Sequence, residues 1–137
     1  MRFMIIVKAT KDTEAGIFPD ETAELFAAMA SYHEEMAKAG VLVEGAGLQP
    51  SAKGARIRYS GGKQMVIDGP FAETKELIAG YTLIQVASRA EAIAWAMRMP
   101  NPYGKGKEGE IEIRQLYELE DFGIEETADR FREIGMG

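Results

Sequence analysis

At 137 residues, 46% hydrophobic and without a cysteine, the chain is sized for one domain, and it excludes disulfide frameworks, thiolate nucleophiles and cysteine-held zinc or iron–sulfur centres. Its formal charge of −6 is unevenly placed: residues 1–107 carry 13 basic and 12 acidic side chains, whereas residues 108–137 carry 3 and 10. An acidic balance with no basic stripe argues against nucleic-acid binding. The apolar run Phe3–Val7, stopped by Lys8, is too short for a membrane span or a signal-peptide core, so a soluble cytoplasmic protein is expected.

Arg2 to Ala9 is apolar on both alternating faces, the pattern of a central strand covered on two sides. Thr10 to Pro19 reads as a loop. Asp20 is positioned to cap a helix from about Glu21 to Ala39, with Gly40 as its stop. On this helix Leu25, Phe26, Met29, Met36 and Ala37 recur at three- and four-residue spacing. The only histidine, His33, falls in the same stripe and is expected to point at the sheet.

Val41 to Leu48 reads as a second strand, with Gly45 and Gly47 marking a bulge or a close backbone approach. Ala55 to Tyr59 and Lys63 to Asp68 flank Ser60-Gly61-Gly62, a hairpin signal, and the next strand, Leu77 to Ala87, is expected to pair with the strand before it. Ser88 with Glu91 opens a helix that ends at Pro100. Glycines beside Lys105 and Lys107 fit no phosphate-loop pattern. A last strand follows from Glu110 to Leu119, then an acidic amphipathic extension over residues 120–137.

Two helices cover only one face of a sheet. The expected fold class is therefore α+β, a ferredoxin-like βαββαβ with extra strands in the middle, in a single domain over residues 1–137. Leaving the other face in water is unfavourable at about 25 cal/mol per Å² of apolar surface, so a homodimer with sheets face to face is expected.

Asp68-Gly69-Pro70-Phe71-Ala72-Glu73-Thr74-Lys75-Glu76 is the most distinctive stretch: a carboxylate at a strand end, a sharp turn and a charged tail. An inward imidazole without a partner costs roughly 1–3 kcal/mol, which makes Asp68 a candidate to bind one ring nitrogen of His33 and leave the other for proton exchange. The competing reading is a satisfied core histidine and an aspartate that binds turn amides. With no cysteine and no serine in a nucleophile-elbow pattern, covalent catalysis has little support, and one histidine among scattered acids makes a poor metal site. Neither a metal nor a cofactor is expected.

The nine residues DGPFAETKE resemble the signature of the DGPF, or YCII-related, family. The opening MRFMIIVKA, the helix with His33, AGYTLIQV and GEIEIRQLYELEDFG extend the resemblance over nearly the whole chain. The resemblance implies a dimeric α+β barrel, a bacterial source and, for some members, association with extracytoplasmic-function sigma factors. It also implies a histidine and an aspartate in a cleft as a catalytic pair, here His33 and Asp68, with Pro70, Phe71 and Tyr81 as candidate ligand-binding residues. The leading expectation is a cofactor-free enzyme acting on a small polar or carbonyl-bearing molecule through a His/Asp acid–base pair. The alternative is a non-catalytic ligand-binding or regulatory module.

Overall fold

The computed structural model describes residues 1–137 and is a mixed α+β structure. Strand β1 (Arg2–Lys8) leads through a one-turn helix α1 (Lys11–Glu14) to the long helix α2 (Thr22–Lys38). Strand β2 (Leu42–Gly47) and the hairpin β3 (Ala55–Ser60) and β4 (Lys63–Asp68) follow. Then come β5 (Ile78–Gln85), α3 (Arg89–Met97), β6 (Ile111–Gln115) and α4 (Glu125–Glu133). The main sheet has the order β2-β5-β1-β6 with every neighbour antiparallel, and β3 and β4 form a second sheet of two strands. With that hairpin set aside, the main sheet has the ferredoxin-like strand order.

Burial explains the choice of elements. Phe3 and Ile5 alternate along β1 onto the face that α2 and α3 cover, where they join Tyr32, Met36, Ile84, Val86, Ala92 and Ala96. Ile5, Met36 and Ile84 are fully buried, and each side chain of this size contributes about 1.5–3 kcal/mol on leaving water. Ser88 caps α3 by accepting from the Glu91 amide at 3.2 Å, and the Glu91 carboxylate accepts from the Ala87 amide at 2.7 Å. Tyr32 donates its hydroxyl to the Trp95 carbonyl at 2.7 Å, joining the two helices, and burial pushes its pKa up to about 12. No helix is long and apolar enough to cross a membrane.

Four local expectations are corrected. The segment read as a loop holds α1, whose Thr10 and Thr13 cap each other reciprocally. Asp20 is not the cap of α2; Glu21 occupies that position in a left-handed conformation with no side-chain cap. Phe26 is 57% exposed and packs edge-on against Phe18, while Tyr32 takes an inward place that the stripe left out. Finally, β4 does not pair with β5. The backbone of Gly69 donates to Gly54 and closes the hairpin on itself, and β5 passes between β1 and β2, where both of its faces are used.

Candidate functional site

Helix α2 lays His33 against β5. The Nδ1 of His33 lies 2.8 Å from the Met29 carbonyl and its Nε2 lies 2.9 Å from the Thr82 hydroxyl. A carbonyl only accepts, so Nδ1 carries the proton in the neutral ring and Nε2 accepts from Thr82. Thr82 is 4% exposed and His33 is half-buried, edge-on to Tyr32. The helix thus fixes the tautomer through its own backbone, and the sheet supplies the partner on the working side of the ring.

Beside this pair the sheet is bare. Thr82 is opposite Gly45 and Gly80 is opposite Gly47, so three glycines surround it on neighbouring strand positions. A Cβ at Gly45 would come to 3.3 Å from the Tyr81 carbonyl and 3.6 Å from His33 Nε2, a tight fit in which the neighbouring backbone must give by a few tenths of an ångström. At Gly47 a Cβ would meet nothing within 4 Å. The outcome is a backbone-floored furrow, with His33 at one end and open space above Gly47. The spacing of two that puts Gly45 and Gly47 on one face was visible in the sequence, and it is the signal that could have found this feature.

At the strand ends just beyond, a cleft of about 420 Å³ is lined by Leu48, Ser51, Lys53, Glu76 and Ile78, with Glu14 on its wall. Such a volume falls within the range of small-molecule sites. The signature contributes Glu76 to its lining, and the turn at Gly69-Pro70-Phe71 braces its Ser51 wall from behind. Phe71 donates its amide to the Ser51 hydroxyl at 3.0 Å, and Ser51 in turn donates its amide (3.0 Å) and its hydroxyl to the Glu14 carboxylate. Gly69, which precedes a cis peptide bond to Pro70, lies so close to the Ser51 carbonyl that no side chain fits. The Arg56 guanidinium sits 3.8 Å above the half-buried Phe71 ring. Ser51 and Glu14 therefore tie α1, the 3₁₀ turn Ser51–Lys53 and the signature together.

The five sequence-selected residues occupy three places. His33 is on the sheet-facing side of α2. Asp68 and Pro70 are exposed at the end of the hairpin, where Asp68 is opposite Ala55. Tyr81 adjoins Thr82 in the strand and so faces the other side of the sheet, donating to Glu44 at 2.6 Å. That hydrogen bond and the Glu44 charge raise the Tyr81 pKa. The expected hydrogen bond from His33 to the Asp68 carboxylate is not made within the chain; the helix carbonyl and Thr82 occupy both ring nitrogens. Thr82, Gly45, Gly47, Ser51 and Glu14 were not selected from sequence.

The family model for the YCII-related domain matches residues 1–120. The chain belongs to the YCII-related family. An uncharacterized protein of Rhizobium meliloti (strain 1021) is 35% identical over 97 residues, covering 71% of this chain and 77% of that protein. Among solved structures, the 5-chloro-2-hydroxyhydroquinone dehydrochlorinase of Burkholderia phenoliruptrix AC1100, in complex with 2,5-dihydroxybenzoquinone, is 13% identical. It aligns at a TM-score of 0.47 over 88% of this chain and 98% of that one. In this YCII-related chain, the match to residues 1–120 takes in the furrow, the signature turn and the hairpin, and ends before α4.

No group of three or more His, Cys, Asp or Glu side chains is placed to share a metal ion.

Proposed function

We propose that this YCII-related protein is a small-molecule enzyme that transfers a proton at His33, with its substrate in the furrow over Gly47. The observation that carries this reading is that the site satisfies both protonation states of the ring. Neutral His33 donates from Nδ1 to Met29 and accepts at Nε2 from Thr82; as an imidazolium it donates from both nitrogens to the same two oxygens. A proton leaving the substrate is taken by the Thr82 oxygen as Thr82 passes its own proton to Nε2. Thr82 is restored, and the charge rests on His33 between two acceptors. Neither state leaves a half-buried nitrogen unpaired, so the cost of cycling is small.

In this reading a carbonyl-bearing substrate lies along the bare floor, with its remainder toward the outer cleft. Asp68, Pro70 and Phe71 contribute through the turn they form, which holds the Ser51–Lys53 wall in place. The assisting role expected of Asp68 at the ring falls to Thr82, and Tyr81, on the other face, has no part in the furrow.

The test uses the single histidine and the open space above Gly47. A panel of carbonyl-bearing small molecules is screened for turnover, and hits are repeated with His33→Gln, Thr82→Val and Gly47→Leu. Turnover should fall at least about 100-fold for His33→Gln. Gly47→Leu should abolish binding while leaving the melting temperature near that of the wild type. Unchanged turnover and affinity in all three variants would overturn the reading. A second reading, a binding or regulatory module, is favoured by the fact that both nitrogens of His33 are already satisfied inside the fold; it predicts saturable binding lost in Gly47→Leu, with no turnover of any bound compound.

A further inference from the structure

The cleft beyond the furrow has a charged rim that proton transfer at His33 does not use. Two 3₁₀ turns contribute to its lining, Ser51–Lys53 ending in Lys53 and Thr74–Glu76 ending in Glu76. Neither Lys53 nor Glu76 takes part in any ion pair of the molecule, so an ammonium and a carboxylate border one concave space of about 420 Å³ without neutralising each other. Glu14 adds a second carboxylate, held in place by the Ser51 amide and hydroxyl. A carboxylate has about four acceptor positions, and Ser51 leaves part of that capacity open. The wall is also apolar: Leu48 and Ile78 line the cleft and remain 47% and 37% exposed.

Apolar surface with a few fixed polar groups is the usual make-up of a small-molecule site, and here the polar groups have both signs. An anion alone would leave the carboxylates without a partner, and a cation alone would meet Lys53. A molecule with an ammonium, a carboxylate and an apolar group matches all three features. We infer that the cleft binds the amino-acid-like end of a small zwitterion, with its carboxylate at Lys53, its ammonium at Glu76 and Glu14, and its apolar group on Leu48 and Ile78. This zwitterion is the far end of the substrate proposed above, and its link to the near end at His33 rests on that proposal. Ile78 precedes Thr82 by four positions on β5, a rise of about 13 Å. One molecule that reaches both places is therefore of peptide length, and a free amino acid fills the cleft end alone.

Binding is measured on the whole chain by amide chemical-shift titration with L-leucine, with leucinamide, which lacks the carboxylate, and with isocaproate, which lacks the ammonium. Leucine should bind with a Kd of about 1 mM or tighter, with shifts centred on the lining residues around Ser51–Gly54 and Glu76–Ile78. Each truncated probe should bind at least about fivefold more weakly, the loss of one charged contact at an open site. Lys53→Met should weaken leucine by a similar factor and leave leucinamide unchanged. Glu76→Gln should weaken leucine and leave isocaproate unchanged, since each variant removes the partner of a group that the probe already lacks. No saturable leucine binding near about 1 mM, a truncated probe as tight as leucine, or variant losses that simply add to those of the truncated probes would each overturn the inference. The readout is affinity, so such a failure leaves proton transfer at His33 standing, whereas turnover that survives His33→Gln overturns proton transfer alone.

Discussion

The main sheet with its helices and the β3–β4 arm are held by different physics. In the first, Phe3, Ile5, Met36, Ile84 and Ala92 are essentially removed from water, and every strand has a partner. In the second, no residue of either strand is buried, and order depends on few contacts: the hairpin ladder, Gly69 to Gly54, Phe71 to Ser51, and Arg56 over Phe71. Distributed burial tolerates the loss of any one polar contact. An arm tied at a few points does not, and both the candidate cleft and the signature turn sit where the two regimes meet.

The largest expected effect tests the burial side. Met36→Ala removes a fully buried side chain that α2 sends into the core and should cost about 2–5 kcal/mol in denaturant unfolding, with the transition still cooperative. A loss under 1 kcal/mol would mean that the core is not centred there.

Next is the tie between the two regions. Gly69→Ala forces the turn away from the Ser51 backbone. It should speed amide exchange at Phe71 and through β3 and β4 by at least about tenfold while leaving β1 and β5 protected, the pattern of local opening. Equal acceleration in both sheets would erase the distinction between them. Ser51→Ala removes the acceptor of the Phe71 amide and a donor to Glu14; it should cost about 1–2 kcal/mol and weaken ligand binding in the cleft.

A smaller effect follows from Tyr32. Its pKa is raised by burial, so the neutral form stabilises the fold fully below pH 10, and the unfolded chain gives up that proton first as pH rises. Stability should therefore fall from pH 10 toward about 12 in the wild type. Tyr32→Phe should cost about 1 kcal/mol at neutral pH and flatten that decline.

The elements were legible because their causes are local. The alternation in Arg2–Ala9, the 29/33/36 stripe, the Ser88–Glu91 box and the Gly61-Gly62 turn each specify a conformation over a few residues. The partners of β5 were not legible in the same way: nearness in sequence favoured β4, and only the competition for apolar cover placed β5 between β1 and β2. His33 shows the same division. Its inward direction and its bond to the Met29 carbonyl follow from the helix, but its partner at Nε2 depends on which strand passes beneath α2 and in what register. A shift of one residue would have presented Tyr81 in place of Thr82.

By itself the sequence determined the α+β class, the order of elements, the inward histidine and the turn at Gly69-Pro70, since period, capping and backbone stereochemistry act over short range. Tertiary structure alone decided that His33 meets Thr82, that the exposed Gly45 and Gly47 lie beside it, and that Ser51 and Glu14 anchor the signature. Those contacts join residues 37 apart for Glu14 and Ser51 and 49 apart for His33 and Thr82. They exist because burying one face of the sheet fixes a register, and the register sets which side chains meet.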